Sequence, residues 1–325
     1  MSISQVEDNP VDHQGSSEHI GNNEEAIMTD DKMMTQMAEK RGFIAALDQS
    51  GGSTPSALGH YGIAETAYHG DAEMFKLIHE MRVRIMTSPA FRGDKIIAAI
   101  LFEATMDGKV GDRPVPTFLW EDRGIVPFLK VDKGLDVEKD GVQLMKPIPG
   151  LDDLLARGVK LGIFGTKMRS FIKAPSEGGI SAIVKQQFEI AAQIAKHGLM
   201  PIIEPEVSIK TAQKSDAEAI LLTELTKALD SLPRGQQVML KLTIPDVPDL
   251  YAQLIKDPRV VRVVALSGGY TRSEACARLS ANHGMIASFS RALIDELKIS
   301  MNDETFDSVL ERAIDEIYQA STVKV

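Results

Sequence analysis

The chain has 325 residues, 25% charged and 43% hydrophobic, enough apolar material for one large α/β barrel or two smaller domains. A formal charge of −10 argues against a broad nucleic-acid surface and leaves any anionic ligand to a local basic cluster. Cys276 is the only cysteine, so no intrachain disulfide can form and a reducing compartment is expected; no apolar run approaches the ~20 residues of a membrane-spanning helix.

Residues 1–34 are poor in large apolar groups and rich in Glu, Asp, Asn, Gln and Ser, the composition of a disordered acidic arm. The arm has neither the apolar core of a signal peptide nor the basic residues of a transit peptide, and the expected location is cytoplasmic. A single folded domain is expected over 35–325, led in by a short helix near Asp30 to Arg41. An apolar run, Gly42 to Asp48, then ends in a carboxylate and is followed by the glycine- and hydroxyl-rich turn Gln49 to Pro55. The pattern recurs at Ile96–Glu103, Ile125–Asp132, Leu161–Arg169, Leu199–Glu206, Gln236–Pro245, Val260–Gly269 and Met285–Arg291, making eight runs in all. Helical spacing marks Ser181–His197, Asp216–Leu232, Pro248–Ile255 and Thr271–Asn282. Asp303–Ala320 closes the chain as an amphipathic helix with Asn302 or Asp303 as its cap. Periodicity alone does not separate a barrel from an open doubly wound sheet; the count of eight favours closure into a (β/α)8 TIM barrel.

The runs begin apolar and finish polar. That asymmetry gathers Asp48, Glu103, Lys130, Lys167, Arg169, Glu204, Glu206, Lys241, Ser267 and Arg291 at the face where barrel active sites sit. An ion-pair network that merely closes the barrel mouth is the plainer alternative, disfavoured because buried pairs are poor stability devices. Lys241 lies in the middle of the apolar run Val238 to Ile244. Taken alone it reads either as a lysine that snorkels or pairs with a carboxylate, or as a desolvated amine poised to attack a carbonyl. Glu204 and Glu206 are two apart on one strand and so face the same side.

Two kinds of loop suggest phosphate. Ser267-Gly268-Gly269 and Ser290-Arg291 follow the seventh and eighth runs, and Ser50-Gly51-Gly52-Ser53 follows the first. With Lys130 they suit a substrate carrying a phosphate at each end. The seven histidines show no metal-ligand spacing and none ends a run, so metal-assisted carbonyl chemistry is disfavoured. A nucleotide-binding Gly-x-x-x-x-Gly-Lys motif is absent, and Cys276 falls in a helical segment as a packing residue.

From Lys40 to Ser321 the sequence resembles the class I, Schiff-base fructose-1,6-bisphosphate aldolases in the form found in bacteria and algae. Seven stretches carry the resemblance in order: Gly42–Pro55, Pro127–Gly134, Phe164–Arg169, Pro201–Glu206, Val238–Pro245, Leu266–Gly269 and Ala287–Ala292. The resemblance implies a lyase that reversibly splits fructose 1,6-bisphosphate into dihydroxyacetone phosphate and glyceraldehyde 3-phosphate, in glycolysis, gluconeogenesis or carbon fixation, with no metal or other cofactor. It implies Lys241 as the imine-forming lysine and Glu204 as acid and base, with Asp48, Lys167 and Glu206 as electrostatic partners. Ser50, Ser53, Lys130, Ser267, Gly268, Gly269, Ser290 and Arg291 are implied as phosphate ligands, and Arg169 as support for Lys167 and the distal phosphate. Animal members end in a mobile tail bearing a catalytic tyrosine; here Tyr318 falls in the final helix and takes no assignment. Phosphorylated sugars are the expected partners, with no nucleic acid and no membrane, and a homo-oligomer is compatible with the resemblance. Another bisphosphorylated ketose, sedoheptulose or tagatose, and a non-catalytic scaffold stay open as alternatives.

Overall fold

The computed structural model describes residues 1, 30–50 and 52–325. The expected arm falls, up to residue 29, outside the described residues, and residues 30–34 belong to a helix, α1, spanning 30–39. Eight strands follow: β1 Phe43–Leu47, β2 Ile96–Leu101, β3 Val126–Lys130, β4 Gly165–Ile172, β5 Met200–Val207, β6 Val238–Thr243, β7 Val260–Leu266 and β8 Ile286–Phe289. Each pairs in parallel with its neighbour in the chain, and β8 returns to β1, with Ile44 beside Ser288. The ring is continuous through β3 and β4, where Phe128 pairs with Gly165 and Lys130 with Lys167. Gly165 is required here, because a Cβ would lie 2.3 Å from the Met200 carbonyl oxygen and 2.5 Å from the Phe128 ring. The eight expected runs are the eight strands of a closed TIM barrel.

Helices α2 Thr54–Tyr61, α3 Gly70–Thr87, α4 Leu151–Lys160, α5 Glu177–Lys196, α6 Lys214–Asp230, α7 Arg272–Ser280 and α8 Asp303–Thr322 alternate with the strands. Asn302 caps α8 by accepting the Thr305 N–H at 2.8 Å, one of the two caps expected from the sequence. The helix expected over Pro248–Ile255 shrinks to a single turn, Ala252–Ile255, because Asp249 takes a left-handed φ of 59° that a helix cannot contain. Helices α2, α3 and α4 lie outside the segments singled out from the sequence. In α3 the buried Met74, Ile78, Met81 and Ile85 form a stripe at helical spacing.

Strand period dictates the rest. Ile44, Ala46, Ala98, Ile100, Val126, Phe128, Met200, Ile202, Met239, Val264 and Ile286 pack together inside the barrel. The intervening Phe43, Ala45, Leu47, Leu129, Met168, Ile203, Leu240 and Leu242 belong to the larger core beneath the helices. Met33 and Met37 of α1 join the inner cluster from the N-terminal mouth. Gln36 fixes the helix there by donating to the carbonyls of Ile97 (2.7 Å) and Gly124 (2.8 Å).

Candidate active site

The same alternation, followed past the apolar layer, brings Asp48, Lys130, Lys167, Arg169, Glu204, Glu206 and Lys241 to the inner face at the strands' C-terminal ends. They line a cavity of about 600 Å³, together with Ser50, Ser53, Ser267, Gly268, Ser290 and Arg291 from the loops. Gly269, the residue after Gly268 in its turn, does not itself line the cavity. Glu103 does not join them: the inner positions of β2 are Ala98 and Ile100, so residue 103 is out of phase. It pairs instead with Lys133 at 2.7 Å and with Arg157.

At the floor of the cavity the charges form a chain. Lys241 Nζ lies 3.0 Å from Glu204 Oε1, Lys167 Nζ lies 2.9 Å from Glu204 Oε2, and Lys167 Nζ lies 2.6 Å from Asp48 Oδ2. All four residues are buried. Burial by itself pushes the Asp48 carboxyl up, but the Lys167 and Lys241 ammoniums outweigh it and hold it well below the carboxylate range. Burial would likewise lower Lys167, yet the Asp48 and Glu204 carboxylates keep it charged far above the lysine range. Glu204 is held from behind: the fully buried Gln187 of α5 accepts its N–H at 2.8 Å and donates to Ser170 Oγ at 3.0 Å. Thr243 Oγ1 bridges the Val207 N–H and carbonyl, tying the end of β5 to β6. Arg169, half-buried, donates through Nε to Glu206 Oε2 at 2.5 Å, so this pair stands beside the lysine chain; Lys167 takes its partners from Asp48 and Glu204. Lys130 donates to Asp132 Oδ1 at 2.7 Å and to the Asp132 carbonyl at 2.9 Å, and burial draws its pKa below the lysine value.

On the opposite rim, Ser267, Gly268 and Gly269 make a tight turn. Gly268 (φ 61°) and Gly269 (φ 114°) lie in the left-handed region, and a Cβ on Gly268 would lie 2.6 Å from Ile209 Cγ2. Arg291 points beside Gly269 and is exposed, with no carboxylate within 4 Å among the described residues. A free guanidinium next to a glycine turn is suited to an anion. In the loop after β1, Ser53 Oγ accepts the Ser50 N–H at 3.1 Å, while Gly51 lies outside the described residues.

Four further polar residues at or beneath the cavity escaped the sequence reading. Asp132 and Ser288 line it, and their positions continue the inward series 126, 128, 130 and 286, so strand period was the available signal. Gln49 donates to Ser290 Oγ at 2.6 Å and accepts, through its carbonyl, from Arg82 at 2.5 Å. Arg82, a fully buried residue of α3, also donates to Thr105 Oγ1 at 2.7 Å; burial lowers its pKa to about 10. No local sequence signal marks Arg82.

The family model for fructose-bisphosphate aldolase class I matches residues 32–244. A curated relative from Synechocystis sp., named fructose-bisphosphate aldolase class 1, is 58% identical over 290 residues, covering 89% of this chain and 97% of the relative. One of the same name from Clostridium acetobutylicum is 54% identical over 288 residues, covering 89% and 98%. Among solved structures, fructose-bisphosphate aldolase from Plasmodium falciparum, in a ternary complex with TRAP and a small-molecule inhibitor, superposes with a TM-score of 0.74 at 21% identity. The match covers 92% of this chain and 96% of that one and is a likeness of fold.

Proposed function

The chain belongs to the class I fructose-bisphosphate aldolase family, and we propose that Lys241 is the lysine through which it does this family's chemistry. The protein is a lyase that reversibly cleaves fructose 1,6-bisphosphate to dihydroxyacetone phosphate and glyceraldehyde 3-phosphate by way of a lysine Schiff base. The observation that carries the assignment is Lys241 Nζ, buried and 3.0 Å from Glu204 Oε1. Three buried lysines line the cavity and compete for the role. Lys167 is held as a cation between two carboxylates and cannot offer a lone pair. Lys130 is drawn toward neutrality, but two of its N–H groups are already held by the carbonyl and carboxylate of Asp132 two residues on. Lys241 has Glu204 as its one ion-pair partner within 4 Å among the described residues, a carboxylate that Lys167 holds from its other oxygen and that can move protons for the amine.

In this reading Lys241 gives a proton to Glu204 and attacks the C2 carbonyl of the open-chain ketose. The resulting carbinolamine loses water as Glu204 returns the proton to the leaving oxygen. The protonated imine then withdraws the electron pair of the C3–C4 bond while a carboxylate takes the C4 hydroxyl proton. The aldehyde departs, the enamine carbon takes a proton, and hydrolysis frees dihydroxyacetone phosphate and Lys241. Lys167 supplies fixed positive charge to Asp48 and Glu204 throughout, a preorganised field that needs no rearrangement. Ser267, Gly268, Gly269, Ser290 and Arg291 bind one phosphate; Lys130 and Arg169, with Ser50 and Ser53, serve the rest of the substrate. No metal is required, the substrates are phosphorylated sugars, and the setting is cytoplasmic. A non-catalytic scaffold is disfavoured because the charged residues ending the strands, Glu103 apart, converge on one cavity.

Sodium borohydride added with dihydroxyacetone phosphate is expected to inactivate the protein and leave a three-carbon phosphate adduct on Lys241, found by peptide mass spectrometry, whereas EDTA leaves turnover intact. Lys241→Met is expected to abolish cleavage while circular dichroism stays that of the folded protein. An adduct on Lys130 or Lys167, or full activity in Lys241→Met, would overturn the assignment.

A further inference from the structure

Asp132 stands just beyond β3, and its two carboxyl oxygens differ. Oδ1 is fully used, accepting from Lys130 Nζ at 2.7 Å and from the Gly134 N–H at 3.2 Å. Oδ2 is buried and has no hydrogen-bond partner among the described residues. The residue is only 5% exposed, yet it lines the cavity. Folding removes water from this oxygen without giving it a protein donor, an unfavourable arrangement unless a bound molecule supplies one.

The order of strands around the ring says which part of the substrate that is. Lys241 on β6 holds C2, and the Ser267–Gly268 turn and Arg291 follow the adjoining β7 and β8. The half of the sugar that stays on the lysine therefore lies on that side. β3 is separated from β6 by β4 and β5, so Lys130 and Asp132 face the half beyond the scissile bond. Resting on the reading above, we propose that Asp132 Oδ2 accepts a hydrogen bond from a hydroxyl of the half that leaves as the aldehyde, making Asp132 a substrate-recognition residue. A carboxyl acceptor at that point selects for a hydroxylated aldehyde: a partner lacking the hydroxyl would leave Oδ2 buried and unpaired.

The test is Asp132→Asn, with Asp132→Ala as a second variant. Asparagine keeps an acceptor for Lys130 and Gly134 but puts an N–H₂ where Oδ2 was, so a role confined to holding Lys130 survives it. Two rates are compared: cleavage of fructose 1,6-bisphosphate, and exchange of the dihydroxyacetone phosphate C3 proton with deuterated solvent, which needs only the half on Lys241. The expected result for Asp132→Asn is a fall of about ten- to a hundredfold in kcat/KM for cleavage, the worth of one hydrogen bond to a charged group. The fall in exchange should be at least tenfold smaller. Cleavage within twofold of wild type, or an equal fall in both rates, would refute the proposal. Wild-type cleavage and exchange, measured first, report on the aldolase reading itself and keep its failure distinct from that of Asp132.

Discussion

Replacing Lys167 by methionine removes a charge while keeping a side chain of similar length. Lys167 is 2% exposed and holds two carboxylates, Asp48 at 2.6 Å and Glu204 at 2.9 Å. Glu204 would keep Lys241 at 3.0 Å, but Asp48 would be left with no ion-pair partner within 4 Å among the described residues. Breaking a buried pair from one side costs about 3–5 kcal/mol, and because Asp48 can escape part of this by binding a proton, a loss of about 3 kcal/mol at pH 8 is expected. The pH dependence has a definite sign. In the native chain the folded pKa of Asp48 is depressed, since Lys167 and Lys241 outweigh burial, so its contribution is present above the unfolded pKa and lost as pH falls through the folded one. Without Lys167, burial wins and the folded pKa rises above the unfolded value. The penalty is then absent in acid and grows as pH rises through the new folded pKa, so the deficit widens from pH 5 to pH 8. Guanidinium unfolding followed by the fluorescence of the single tryptophan, Trp120, measures it. A double variant with Asp48→Asn should recover about 1–2 kcal/mol, as the unpaired charge is gone. A deficit under about 1 kcal/mol at pH 8, or one that narrows with rising pH, would show that Lys167 does not hold Asp48 in this way.

Two further outcomes follow from the rim and the core. Arg291→Ala is expected to raise KM for fructose 1,6-bisphosphate by about ten- to a hundredfold, the loss of a charge-assisted hydrogen bond to phosphate, with a much smaller change in kcat; initial-rate kinetics with an unchanged KM would move the phosphate elsewhere. Cys276 is buried in α7, and burial raises its thiol pKa to about 12, so at pH 8 it remains protonated. Ellman's reagent should therefore react with it at the rate of unfolding in native buffer and within seconds in guanidinium, and a rapid native reaction would contradict the packing role.

Much of this was legible because a barrel strand obeys a rule of two. Once β3 is placed, Val126, Phe128 and Lys130 must face inward together, and Asp132 follows by the same step. The apolar runs and their charged ends are thus enough to place Lys241, Glu204 and Lys167 on one floor. The rule also explains the failure at Glu103: the sequence shows a carboxylate ending β2, but one residue out of phase, and a phase is fixed only when neighbouring strands pair. Arg82 was beyond reach for another reason. It meets Gln49 from a helix whose sequence near residue 82 looks like any amphipathic surface segment, and only tertiary packing makes it a buried donor. The one-turn remnant at Ala252–Ile255 shows the converse, an apolar spacing overruled by backbone geometry at Asp249.

Helix α1 has a bearing on traffic. With Met33 and Met37 set into the N-terminal mouth against the layer of Ile44, Phe128, Met200 and Met239, the described part of the barrel is a cup, filled at that end and carrying the cavity of Lys241 at the other. A cup with a covalently tethered guest imposes a queue. In the proposed mechanism the aldehyde leaves first on cleavage, because the other triose is held until its bond to the lysine is hydrolysed; on synthesis the keto triose binds first, since the aldehyde meets no nucleophile until the enamine has formed.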